Sequence, residues 1–237
     1  YFGRGMLIER SNVLVEGIEH RVVGEGETGA PYTGFIRIER CAHVKLRNVV
    51  LSAHKTYRKI GVTGELVSMG TYDLTMDRAV YVSLIGCTQA NDIDDDRLWG
   101  VMGSNYCKNM FYEDCVLSRF DAHQGLYNGV IRRSRVRIIN LIGGGTFQIE
   151  DSVITGPRLI NLREDYGCTW NGDIVVRNTT FDPVGERPQP WFPIFTGSND
   201  EDHDFGYPCT MPHRIELENV RVQDLPAADF YRGSLLF

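Results

Sequence analysis

The sequence predicts an all-β solenoid of about eight stacked coils of short strands, with loops of unequal length inserted on one side. The first observation behind this is a recurring motif: "VLVEGIE" from Val13, "VKLRNVVL" from Val44, "LTMDRAVY" from Leu74, "MFYEDCVL" from Met110, "VIRRSRVR" from Val130, "FQIEDSVI" from Phe147, "IVVRNTTF" from Ile174 and "IELENVRV" from Ile215. The second is that the copies obey position rules: the first residue is apolar, the third is apolar except at Arg132, and the fourth is charged (Glu16, Arg47, Asp77, Glu113, Arg133, Glu150, Arg177, Glu218). The third is spacing. The bend residues Gly17, Asn48, Arg78, Asp114, Ser134, Asp151, Asn178 and Asn219 are 17 to 41 residues apart. The short gaps hold one coil and little else, whereas helix-pair repeats need about 34 to 47 residues each and a propeller blade about 40.

Each part of the motif has a physical reason. Apolar residues at positions one and three share one side of a strand and are expected to fill the interior. The charged fourth position precedes a bend, and Asn, Asp, Ser or Gly at the fifth tolerates the bend's backbone. Cys41 and Cys107 both lie seven residues before their bends, which predicts equivalent stacked positions. Cys115 follows its bend directly, where other copies carry Val49, Ser152, Thr179 and Val220, and is expected to be a small buried wall residue. The six cysteines form no CxxC pair, which argues against a zinc ribbon.

Composition excludes several function classes. The 237 residues are 42% hydrophobic and 24% charged, ordinary for a globular chain. A net charge of -6 argues against nucleic acid as partner, because phosphate binding needs a basic surface. No apolar run approaches the roughly 18 residues of a membrane-spanning helix. Tyr1 opens the chain without Met or signal peptide, the expectation being a trimmed, mature chain. No phosphate loop, serine elbow or HExxH motif is present.

The eight copies resemble the right-handed parallel β-helix proteins of the pectate-lyase-like superfamily, over almost the whole chain. The stretch "WGVMGSNYCKNMFYEDCVLSRFDAHQG" is similar to that of uncharacterised bacterial and phage β-helix proteins. The resemblance implies a single β-helix domain over residues 1–237, a secreted or cell-surface location, and a polysaccharide or oligosaccharide partner. It implies a glycoside hydrolase or polysaccharide lyase with the glycan along an outer parallel sheet. The alternative is a non-catalytic glycan-binding or structural module, such as a surface or phage fibre, which would bring an oligomer interface with it.

The candidate site comes from extending the alignment backward. Gly103, His123 and Asn140 lie eleven residues before their bends, with Asn161 next, while Met102, Ala122, Ile139 and Ile160 beside them are apolar. His123, Asn140 and Asn161 are therefore expected as an outward polar column, with Asp121 two positions earlier and Arg163 and Asp165 following Asn161 outward. Asp121, His123, Arg163 and Asp165 are the catalytic candidates. Two carboxyl groups flanking a glycosidic bond, or a base beside a neutralised uronate, would use such residues. Asn140 and Asn161, with Trp99, Lys55 and Arg58 from the loops, are the substrate-binding candidates. The order Asp95 and Asp96, then His123, then Arg163 is similar to that of polygalacturonases, without their Asp-Asp-Cys, Gly-His-Gly or Arg-Ile-Lys elements. Asp92, Asp94, Asp95 and Asp96 are the metal candidates and Asp200, Asp202 and Asp204 a second acidic loop, the expected cation being calcium.

Overall fold

The computed structural model describes residues 5–20, 35–51, 56–60, 65–69, 73–90, 92–94, 102–163, 170–183, 195–198 and 210–223. Among them every element is a strand. Nineteen strands are joined through parallel pairs, and Thr56–Ile60 with Glu65–Met69 form a separate antiparallel hairpin.

The parallel strands fall into three ladders visited in a fixed order. The long ladder stacks Val13–Glu16, Ala42–Arg47, Val80–Ile85, 107–113, 126–132, Gly143–Glu150, Trp170–Arg177 and Arg214–Glu218. The short ladder stacks Val50–Leu51, Thr88–Gln89, 116–117, 135–136, Val153–Ile154, Thr180–Phe181 and Arg221–Val222. The third ladder runs through Met6–Ile8, Ile36–Glu39, Leu74–Asp77, 102–105 and 122–124, and continues as 119–121, 138–141, Ile160–Arg163 and Phe195–Ser198.

Two motif copies are corrected by this register. Leu74–Asp77 and its bend Arg78 belong to the third ladder, and the third rung of the long ladder is Val80–Ile85, closed by Gly86. Leu74–Asp77 mimics the motif because strands of both ladders end in a left-handed bend, at Arg40 and Arg78 as at Asn48 and Gly86, whereas Val80–Ile85 has Ile85 in place of the charged residue. The fifth copy moves by one residue: Gly129, not Val130, pairs with Met110 and Phe147, and Arg133 is the bend. With that shift the anomalous Arg132 takes the charged fourth position and Ile131 becomes the buried third.

The bend after the long ladder has a positive φ in every rung, at Gly17, Asn48, Gly86, Asp114, Arg133, Asp151, Asn178 and Asn219. Asn, Asp and Gly adopt this region at little cost. Arg133 does not, and its guanidinium is held by Glu113 at 2.5 Å and Asp114 at 2.8 Å. Asn219 donates to Asn178 and Asn178 to Asp151, so the amides bond from rung to rung. Gly86 is required for a second reason: a Cβ there would sit 2.5 Å from Asn48 Oδ1.

The fourth-position column alternates in sign along the stack, interrupted once by Ile85. In register it reads Glu16, Arg47, Ile85, Glu113, Arg132, Glu150, Arg177 and Glu218. Arg47 meets Glu16 at 2.6 Å, Arg132 meets Glu150 at 2.9 Å, and Arg177 meets Glu218 at 3.0 Å. Such surface pairs contribute little stability each. A slip of one rung, however, would set like charges against one another, so the column favours the native stacking order.

The interior is apolar and close-packed. The first and third motif positions Val44, Leu46, Met110, Tyr112, Phe147, Ile149, Ile174 and Val176 are all buried. An edge-to-face aromatic chain of Tyr112, Phe120, Phe147 and Trp170 crosses four rungs. Beside it Cys87, Cys115, Ser134, Ser152 and Thr179 form a buried column of small residues, as expected for Cys115. The hydroxyls of Ser134, Ser152 and Thr179 donate to carbonyls two residues earlier. Cys41 and Cys107 also share a column, with Ala79 between them. All four of these cysteines are free thiols. Burial pushes Cys107 up to about 11, and a hydrogen bond with Cys87 raises Cys115 further.

Candidate functional site

Insertions concentrate at one corner, where the short ladder hands over to the third ladder. Long connections separate Leu51 from Leu74, Gln89 from Met102 and Phe181 from Phe195, whereas Leu117 and Val136 reach the third ladder across the single residues Ser118 and Arg137. The outer side of the third ladder next to these two short corners carries the polar residues singled out from sequence.

Asp121 pairs in register with Asn140, and Asn140 with Asn161, whose Nδ2 donates to Asn140 Oδ1 at 3.0 Å. Phe120, Ile139 and Ile160 on one side, and Ala122, Leu141 and Leu162 on the other, are core residues, so strand alternation turns the three polar side chains outward. Exposure rises along the column: Asp121 is 0% exposed, Asn140 5%, and Asn161 is half-buried. Arg119 Nη2 lies 2.8 Å from Asp121 Oδ2, with side-chain exposures of 13% and 0%.

His123 does not stand in this column. Ser104 pairs with Ala122 and Asn105 with Gln124, which leaves His123 as the extra residue of a β-bulge. The bulge adds one residue and the bend shift from Ser134 to Arg133 another, so Asp121 occupies the place expected for His123. His123 is half-buried at the edge of the column, two residues on from Asp121.

The segment after Gln89 straps across the short corners. Gln89 Oε1 accepts from the Ser118 amide at 2.7 Å, Ile93 is buried, and Asp94 is bound by Arg135 and by the Thr155 hydroxyl. Asp92 Oδ1 accepts from the Asp94 amide at 3.0 Å, a local turn. A carboxylate held by a guanidinium is a poor cation ligand, so Asp94 does not fit the expected calcium site. Among the described residues no three His, Cys, Asp or Glu side chains form a metal-binding group. Asp95, Asp96, Asp165, Trp99, Lys55 and the loop of Asp200, Asp202 and Asp204 lie outside the described residues. Arg58 and Arg163 lie on the strands Thr56–Ile60 and Ile160–Arg163, with side chains outside the description.

Two features are absent from the sequence reading. His20 Nδ1 lies 3.1 Å from Asp73 Oδ1, with its ring stacked on Phe35 at 3.9 Å. These residues sit at the ends of two long connections and carry no motif signal. Arg137, 8% exposed, has a buried Nε with no hydrogen-bond partner among the described residues, and neither does the hydroxyl of Ser118, 4% exposed.

No family model matches the chain. It is similar to a capsule KL64-specific depolymerase of Klebsiella phage P510, at 33% identity over 103 residues, covering 37% of this chain. The match spans only 10% of the length of that relative.

Proposed function

We propose that the three ladders are the faces of a right-handed parallel β-helix of about eight coils, and that the chain belongs to an extracellular or phage-surface protein that acts on polysaccharide. The observation that carries this reading is the outward cluster of buried Asp121 and Asn140 with half-buried Arg119 and Asn161, which lies beside the shortest corners of the stack. The partial likeness to a capsule depolymerase supports it. Parallel strands about 4.8 Å apart bring Asp121, Asn140 and Asn161 within the length of a few sugar units. Asn140 and Asn161 would hydrogen-bond sugar hydroxyls, Asp121 would stabilise charge or accept a proton, and His123 would exchange protons from the bulge beside it. Arg163 and Asp165 would complete the site from the next coil. The reaction is hydrolysis or elimination at a glycosidic bond. The experiment is a panel of capsular and other polysaccharides assayed for reducing ends and for unsaturated uronate absorbance. Activity lost in His123→Ala and in Asn140→Ala supports the reading, and activity on no polymer sinks the enzymatic form of it.

The non-catalytic reading, a glycan-binding or fibre module, is favoured by one observation: the match covers a tenth of the relative, which leaves room for its chemistry elsewhere. Binding without bond cleavage would select it.

A further inference from the structure

We propose that Arg137 is the specificity residue of this site, and that it recognises a carboxylate on the glycan. The inference rests on the polysaccharide reading and names the chemical class of the sugar. Arg137 and Ser118 are the single-residue corners of adjacent coils: Leu117 pairs with Val136 and Arg119 with Ile138, which sets Ser118 beside Arg137. On the other side Gly156 closes against the Arg137 backbone, where a Cβ would lie 2.0 Å from the carbonyl oxygen.

The neighbouring charges are already committed. Arg119 faces Asp121, and Arg135 faces Asp94, which also takes the Thr155 hydroxyl. Among the described residues of these two corners, the guanidiniums of Arg119 and Arg135 are thus engaged by Asp121 and Asp94, and that of Arg137 is not. A buried guanidinium with an unmade N–H bond is costly, and natural chains retain such groups where a ligand completes them. The Ser118 hydroxyl beside it is a second buried donor with an unmade bond. On adjacent corners, an N–H and an O–H donor are both left for an acceptor that a ligand would supply. A carboxylate fits, because the guanidinium fork binds its two oxygens and the hydroxyl can donate to either. A neutral sugar would leave the charge uncompensated.

The test uses melting curves of the whole chain with sodium glucuronate, glucose or sodium chloride at matched ionic strength. Glucuronate should raise the melting temperature of the wild type by about 3 °C near saturation, and glucose and chloride should not. Arg137→Met keeps the length of the side chain and removes the charge. Its unliganded melting temperature should equal or exceed that of the wild type, and its response to glucuronate should vanish. Arg137→Lys should respond weakly. Equal shifts with glucuronate and glucose, a shift reproduced by chloride, or a strongly destabilised Arg137→Met would each overturn the proposal. Failure of the polysaccharide reading is separate: it would appear as a glucuronate response that depends on Arg137 in a chain that neither binds nor cleaves any polymer, including polymers with reduced carboxyls.

Discussion

Phe147 and Gly129 give the sharpest test of the stacking register. Gly129 pairs with Phe147 in the next rung, and a Cβ on Gly129 would lie 2.8 Å from the Phe147 ring and 3.2 Å from Leu126. Phe147 is fully buried and meets Phe120 at 5.2 Å and Trp170 at 5.9 Å, both edge-to-face. Phe147→Ala should therefore cost about 3–5 kcal/mol, from lost burial, a cavity and two aromatic contacts. Gly129→Ala should cost about 1–3 kcal/mol by overpacking, because its φ is not left-handed and only space opposes the methyl. The double variant Gly129→Ala/Phe147→Ala should be more stable than the two single changes sum to, by about 1 kcal/mol, as the new methyl no longer meets the ring. Urea unfolding followed by far-UV circular dichroism and tryptophan fluorescence reads all four members of the cycle. Additivity within about 0.5 kcal/mol would refute the Gly129 and Phe147 register.

Three further outcomes follow from the same geometry. Hydrogen bonds from Arg47, Arg133 and Arg177 hold Glu16, Asp114 and Glu216 below the ordinary carboxylate range. Their stabilisation is complete above the unfolded value near 4 and is lost as pH falls through the lowered folded values, so urea midpoints should drop in that window, and less steeply at high salt. Cys41, Cys87, Cys107 and Cys115 are buried thiols, so alkylation of the native chain near pH 8, mapped by peptide mass spectrometry, should leave these four unmodified until denaturant is added. Removing the carboxylate in Asp121→Ala leaves the half-buried Arg119 without that counter-charge and should cost about 2–3 kcal/mol in urea unfolding, most of it recovered in Arg119→Met/Asp121→Leu.

Much of the repeat was legible because interior positions are strict: Val44 and Leu46, Phe147 and Ile149, Ile174 and Val176 could be assigned by alternation alone. The misplaced copies show the limit. Leu74–Asp77 satisfies the apolar and charged rule although it lies on the third ladder, whereas the true rung Val80–Ile85 carries Ile85 at the charged position and so gives no signal. The Arg132 exception was the visible sign of the one-residue slip at Val130. Asn140 and Asn161 were placed in one outward column, and they hydrogen-bond there. His123 was misplaced because a bulge inserts a residue without changing composition or alternation nearby. The Arg119 and Asp121 pair was accessible in principle, as two opposite charges two apart on a strand. The link from Asp94 to Arg135 and Thr155, and the one between His20 and Asp73, join residues far apart in sequence and depend on how connections fold over the stack.

On the proposed reading, a polysaccharide binds along the outward column of Asp121, Asn140 and Asn161. The most direct measurement is the size distribution of capsular polysaccharides, by size-exclusion chromatography, after incubation with the wild type and with Asn140→Ala/Asn161→Ala, which removes the amide pair but leaves the Arg119 and Asp121 ion pair. The wild type should shorten at least one polymer, and the double variant, still folded by circular dichroism, should neither shorten nor bind it. A double variant that acts like the wild type, or a wild type that neither shortens nor binds any capsule, would contradict it.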